Sequence, residues 1–178
     1  MENVIKIKDL SVGFHAQDKK NEIVKSISFD VPKGKTVALV GESGSGKTIT
    51  ALSILKLLPY PTAFHSSGEI IYENNNLLNA KQKEIQKIRG KKITAIFQEP
   101  MTSLNPLHTI QKQINEIIQI HSKISNLEAS DQTKKLLKIV GLENISKRPN
   151  AYPHELSGGQ RQRVMIAMSI ANKPDLLI

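Results

Sequence analysis

Thr36-Val37-Ala38-Leu39-Val40-Gly41-Glu42-Ser43-Gly44-Ser45-Gly46-Lys47-Thr48 is a continuous apolar run, then Gly-x-x-x-x-Gly-Lys-Thr, then the start of a helical pattern. Thr36 to Val40 reads as a strand covered on both faces. From Lys47 to Leu58, Ala51, Leu52, Leu55 and Leu58 recur at helical spacing, and Pro59 and Pro61 end the segment. The glycines between strand and helix let the backbone turn tightly, so that successive N–H groups face inward. The helix beginning near Lys47 adds its positive end. Such a loop suits phosphate: Lys47 is placed to reach β- and γ-phosphates and Thr48 to ligate Mg²⁺. A Gly-Ser surface loop is the plain alternative, and the strand–loop–helix setting weighs against it.

On the N-terminal side, Val4 to Lys8 reads as a strand. Ser26-Ile27-Ser28-Phe29-Asp30-Val31 alternates strictly and reads as a half-buried one, with a turn at Pro32-Lys33-Gly34. On the C-terminal side, Glu69 to Tyr72 predicts a strand, Asn74-Asn75-Asn76 a turn, and Ile85 and Ile88 a short helix ending at Gly90. Ile93 to Phe97 is a second buried-strand segment. Thr109 to Gly141 is helical: Ile110, Ile114, Ile117 and Ile118 share one face, Leu136, Leu137 and Val140 mark a second helix, and Gly141 suits its C′ cap. A further helix runs from Ser157 to about Asn172, and Asp175 to Ile178 begins a strand.

Leu156-Ser157-Gly158-Gly159-Gln160 is the second motif. Ser157 suits an N-cap, and Gln160 three residues on makes a capping box. Two glycines in a first turn cost roughly 1 kcal/mol each in helix propensity. A helix start serving structure alone would not choose them, whereas bare N–H groups suit the close approach of an anion.

Composition bounds the rest. The chain has 178 residues, 39% hydrophobic and 23% charged, which fits one globular domain. No apolar run nears the roughly 18 residues of a spanning helix, and the N-terminus lacks a secretory pattern. No cysteine is present, which excludes disulfides and thiolate metal sites; together these features point to the cytosol. The net charge of +9 is spread over scattered lysines, and aromatics are only 4%. A solvated Lys-rich surface accounts for that better than a base-stacking platform does. The five histidines (His15, His65, His108, His121, His154) show no metal-ligand spacing.

A phosphate-binding loop followed by Leu156 to Val164, Leu-Ser-Gly-Gly-Gln-Arg-Gln-Arg-Val, resembles the nucleotide-binding domain of ABC transporters. Phe97-Gln98 falls where that family has its Q-loop glutamine. Gln98 to Pro106 resembles the dipeptide, oligopeptide and nickel importer branch, and the longer run Pro100 to Ile110, with Leu58 to Pro61 and Ala151 to His154, is most similar to the peptide (microcin C) uptake ATPases within it. The resemblance covers the whole chain. It implies an α/β P-loop NTPase fold: a β portion and P-loop core over 1–98, a helical subdomain over 99–156, and over 157–178 the signature helix with the start of a further strand.

It also implies ATP and Mg²⁺ as ligands and a head-to-tail pair of such domains, homo- or heterodimeric. In that pair Gly41 to Thr48 bind ATP, while Leu156, Ser157, Gly158, Gly159 and Gln160 act in trans on the partner's γ-phosphate. Gln98 senses Mg²⁺ and the attacking water. Phe14 stands where the family places an adenine-stacking aromatic; a packed core residue is the equal alternative. The implied partners are a transmembrane permease and, indirectly, a solute-binding protein, with the domain peripheral on the inner face of the cell membrane. The implied function is ATP-driven import of peptides or similar solutes, with no nucleic acid.

The family follows its signature helix with a strand ending in Asp-Glu, and this sequence ends at Ile178. The Mg²⁺-positioning Asp, the catalytic Glu and the switch His of the family are not within it, so weak turnover is expected of a fragment. An ABC-type ATPase acting on nucleic acid and an inactive nucleotide-binding fragment are the competing readings. Against the first, residues between Gln98 and Ser157 hold no sustained heptads and no cysteine.

Overall fold

A computed structural model describes residues 2–16, 19–97 and 103–178. The chain divides into two compact units, Met1–Gln86 and Lys87–Ile178. The first holds strands β1 (Asn3–Ala16) and β2 (Lys19–Pro32), helix α1 (Lys47–Ile54), and strands β3 (Ala63–Tyr72) and β4 (Asn75–Asn76). These strands form one antiparallel sheet in the order β2-β1-β3-β4. Helix α2 (Gln82–Ile88) follows and buries Ile85.

The expected strands at Val4–Lys8, Ser26–Val31 and Glu69–Tyr72 lie within β1, β2 and β3, all longer than the alternation marks. Their extension crosses a shared bulge. The β1–β2 register shifts between Ile7 and Leu10, and the β1–β3 register between Lys8 and Ser11. Hydroxyls take over there. Asp9 N–H donates to Ser28 Oγ at 2.8 Å, Ser26 N–H to Ser11 Oγ at 2.9 Å, and Ser67 Oγ to the Asp9 carbonyl at 3.0 Å. Each of these bonds uses a backbone group that a bulge removes from the ladder. Across from the bulge, Gly68 has φ +96, and a Cβ there would lie 2.5 Å from Leu10 Cα and 2.6 Å from the Asp9 carbonyl oxygen.

The strand expected over Thr36 to Val40 does not form. The segment carries no ladder pairing, and Val37, Leu39 and Val40 are 38%, 39% and 88% exposed. An apolar run becomes a covered strand only where neighbours supply ladder partners. Among the described residues none pairs with it. Helix α1 also ends earlier than Leu58. Leu57 N–H bonds the Leu52 carbonyl and Lys56 N–H that of Ser53, with Lys56 left-handed at φ 49. Leu55 and Leu58 remain buried beyond the helix.

The second unit holds β5 (Ile93–Thr94), α3 (Ile110–His121), α4 (Asn126–Ile139), α5 (Glu143–Ser146), a 3₁₀ turn (Pro153–Glu155), α6 (Gly158–Ile170) and β6 (Leu176–Leu177). β5 and β6 pair in parallel, Ile93 opposite Leu176. The strand expected over Ile93 to Phe97 stops at Thr94, although Ile96 N–H still reaches the Ile178 carbonyl at 2.8 Å; Phe97 is half exposed. Ile110, Ile114 and Ile118 of α3, Leu137 of α4, and Val164, Met165 and Ala167 of α6 form one apolar cluster with Leu156. This is the amphipathic packing that the helical spacing predicts. Gly141, at φ 71, caps α4 as expected: its N–H bonds the Lys138 carbonyl, and Leu142 N–H bonds that of Leu137. Among the described residues no helix is long and apolar enough to cross a membrane.

Gly68→Ala should destabilise the chain by about 3 kcal/mol, combining a left-handed residue with a backbone clash. Urea melts of the two proteins measure it.

Candidate functional site

The loop from Gly41 to Gly46 enters α1 through left-handed glycines, Gly44 at φ 82 and Gly46 at φ 88. Gly46 is the N-cap of α1 and offers no side-chain cap; no acidic residue stands in the first turn. A Cβ on Gly46 would lie 2.7 Å from Val24 Cγ2, so the helix start is pressed against β2. The first helical bond runs from Thr50 N–H to the Gly46 carbonyl at 2.8 Å, and Ser45 N–H bonds the Glu42 carbonyl at 3.2 Å. Among the described residues, the N–H groups of Gly44, Gly46, Lys47 and Thr48 have no protein acceptor. Gly41 to Ser45 are exposed, and Gly46 is buried.

Lys47 Nζ turns back over this loop. It donates to the Gly41 carbonyl at 2.8 Å, the Glu42 carbonyl at 2.6 Å and Ser45 Oγ at 3.2 Å. All three acceptors are neutral, so the cation beside the free amides has no counter-charge among them. Thr48 is exposed. Amides, a helix N-terminus and an uncompensated ammonium stand together in one loop, which is the donor set a phosphate chain requires.

The turn before α6 is a second concentration of donors. Ser157 caps the helix: Gln160 N–H donates to Ser157 Oγ at 3.3 Å, and Ser157 N–H to Gln160 Oε1 at 2.9 Å. The expected capping box is therefore present, and it occupies two of the terminal amides. Those left over belong to Gly158 and Gly159, which are exposed; a Cβ on either would meet nothing within 4 Å. Leu156, by contrast, is buried.

Sequence reasoning missed what holds this turn. Tyr152 N–H donates to Glu155 Oε2 at 2.6 Å, the carboxylate half of a capping box one turn upstream, and Arg148 pairs with Glu155. Arg161 Nε donates to the Pro153 carbonyl at 2.9 Å and to that of Leu156 at 3.0 Å. The spacing Tyr152-x-x-Glu155 carried the signal for the first. The Tyr152 amide bond, with the Arg148 guanidinium adding to it, holds the Glu155 carboxyl below its usual value of 4.5.

Phe14 is half-buried in β1, opposite Asn21 of β2 and Ala63 of β3. Gln98, with Glu99, Pro100, Met101 and Thr102, lies outside the described residues. The loop of Gly41 to Thr48 and the turn of Ser157 to Gln160 lie in different units.

Residues 24–178 match the family model described as ABC transporter. The chain is 55% identical over 175 residues to the peptidoglycan transport ATP-binding protein YejF of Agrobacterium fabrum, covering 98% of this chain and 32% of that protein. It is 45% identical to the oligopeptide transport ATP-binding protein OppD of Bacillus subtilis, covering 98% of this chain and 49% of that one. The chain thus spans about a third to a half of the curated relatives it matches. Among solved structures it is similar to the ATP-binding cassette MJ0796, a dimer in a post-hydrolysis state bound to ADP and Pi. There the TM-score is 0.83 at 28% identity, over 97% of this chain and 72% of that one.

Two outcomes follow from this geometry. Gly158→Ala and Gly159→Ala should each raise the chain's stability by up to about 1 kcal/mol, since both sit in a helix with open space around them; urea melts read it. The Glu155 contribution to the turn, with its carboxyl pKa lowered on folding, is complete above 4.5 and is lost as pH falls through the lowered folded value. Amide exchange at Tyr152 and Leu156 should accelerate across that window in the wild type, and Glu155→Gln should flatten the response.

Proposed function

The chain belongs to the ABC transporter family, and from that premise we propose that it binds ATP through Gly41 to Thr48 and contributes to energising import of peptides or similar solutes. The observation that carries the reading is Lys47 Nζ held only by neutral oxygens of its own loop. Those contacts are weak enough to exchange for phosphate oxygens, which hold an ammonium more strongly than carbonyls do. Gly44, Gly46, Lys47 and Thr48 then supply N–H groups to the phosphates, with the end of α1 behind them. Phe14 is the residue proposed to stack on the base.

Mg²⁺, when bound, screens the β- and γ-phosphate charge. Thr48 offers the hydroxyl for it, and Gln98 is the second residue assigned to it by the family motif. Ser157, Gly158, Gly159 and Gln160 are proposed to act on the nucleotide of a paired domain. The free amides of Gly158 and Gly159 support this: their missing side chains relieve no contact inside this chain, while the bare helix end suits an incoming anion. ATP favours the closed pair because it contacts both halves there and one half in the open state. Peptide import rests on the names of the relatives, one an oligopeptide transport ATP-binding protein. On this reading the partners are a second such domain and a membrane permease, with the domain at the inner face of the membrane.

ATP binding with Mg²⁺, read with a fluorescent analogue and competition by ATP, should occur and weaken by tenfold or more in Lys47→Ala, as loss of a charged hydrogen-bond donor of about 1.5–3 kcal/mol demands. Equal binding by the variant, or none by the wild type, sinks the assignment. Phosphate release measured alongside reads the hydrolysis that the family implies.

A further inference from the structure

The two free amides of the second motif are useful only if their peptide planes are fixed before the nucleotide arrives. In a helix start, each N–H direction is set by the carbonyl of the preceding residue, because both belong to one planar unit. The plane that carries Ser157 N–H also carries the Leu156 carbonyl, which accepts from Arg161 Nε at 3.0 Å. The plane that carries Gly158 N–H also carries the Ser157 carbonyl, which accepts from the backbone N–H of the same Arg161 at 2.9 Å. Arg161 Nε also holds the Pro153 carbonyl at 2.9 Å, at the start of the 3₁₀ turn. One residue thus grips the turn at three carbonyls, with main chain and guanidinium together.

We propose that Arg161 is a positioning residue for the trans action of this turn: it fixes the Leu156–Ser157 and Ser157–Gly158 planes, so that the Gly158 amide, at the head of the pair of free N–H groups, stands preset for the γ-phosphate held by a paired domain. The inference rests on the paired-domain reading above. Three features distinguish this role from plain helix support. The capping box of Ser157 and Gln160 already closes the helix end. Leu156 is already anchored in the apolar cluster. Gly158 has maximal backbone freedom, and the Arg161 main-chain bond to the Ser157 carbonyl restrains the plane of its N–H from outside. The guanidinium is also a permanent positive charge beside the helix N-terminus, which adds to its attraction for an anion. The planar fork can share one N–H between two carbonyls without the rotational freedom of an ammonium.

The test uses the full 178-residue chain. In Arg161→Ala, amide exchange at Leu156 and Ser157 should speed by about tenfold or more, as expected for a lost charged hydrogen bond. Exchange at Val164 and Ala167 should stay unchanged, and ATP should still bind the variant's own Lys47 loop. ATP-driven self-association, read by analytical ultracentrifugation, should weaken by a similar factor. Mixing Arg161→Ala with Lys47→Ala chains should restore association in part, because that pairing leaves one composite site with both residues intact. Arg161→Gln keeps the backbone contact and loses the fork and charge; it replaces the alanine variant should that variant not fold, with the same outcome expected. Unchanged exchange at Leu156 and Ser157 overturns the proposal. So does loosened exchange with wild-type association, which reduces Arg161 to local support. A mixture no better than either variant overturns action in trans. A wild-type chain that binds ATP yet never associates overturns the pairing reading itself, and the positioning role with it.

Discussion

An ammonium held by three neutral oxygens of its own loop is the interaction on which the molecule turns. Lys47 Nζ reaches the Gly41 and Glu42 carbonyls and Ser45 Oγ. These contacts keep the loop folded inward around its amides, so that the site is shaped without a ligand. They leave the charge uncompensated, so that an anion gains the full attraction on arrival. A carboxylate in the first turn of α1 would have stabilised the helix start and spoiled the site. None is there, and the N-cap is a glycine without a capping side chain. Local stability is given up where phosphate would later supply it.

The second motif makes the same trade differently. Two glycines in the first turn of α6 weaken a helix that has a buried face in the apolar cluster. The surroundings compensate through bonds that do not reach the glycines. A capping box follows Leu156, the Tyr152 N–H bond to Glu155 precedes it, and the guanidinium of Arg161 spans the 3₁₀ turn. Stiffness comes from the flanks, so the exposed amides stay uncovered. This is the logic of a binding surface on a rigid support.

How far the sequence could be read follows from the range of the forces involved. Features set within a few residues were legible: Ser157 with Gln160, Gly141 as a C′ cap, and the apolar face of α3; the expected Asn74–Asn76 turn falls one residue early, with Asn75–Asn76 pairing as β4. Their causes lie inside a window of one or two turns. The Thr36–Val40 strand was misread because apolar runs record only willingness to be buried; a strand needs a ladder partner. The bulge shared by β1, β2 and β3 was invisible for the same reason, since Asp9 meets Ser28 and Ser67 across separations of 19 and 58 residues. Arg148, Arg161 and the Tyr152–Glu155 bond escaped because charged side chains beside a signature read as surface charge until their partners are seen. The glycine motifs were legible as chemistry, whereas the loop in one unit and the turn in the other gave no sign of what joins them.

The glycines of this chain separate into kinds according to what requires them, and that separation bears on function. Gly13 is required by contact: a Cβ there would meet the Phe64 ring at 2.6 Å and the Asn21 carbonyl at 2.8 Å. Gly68 is required by contact and by conformation together. Gly44 is required by conformation alone, with open space around it. Gly158 and Gly159 answer to neither demand. They stand in an ordinary helical turn, with nothing of their own chain near them, at a position where alanine would be favoured on propensity. A residue that costs stability and relieves nothing inside the molecule points outward. The constraint that keeps it small belongs to whatever approaches that surface, and the helix end there presents bare donors to an acceptor. The cost of these two glycines is thus the feature of this chain that supports the proposed contact with a paired domain.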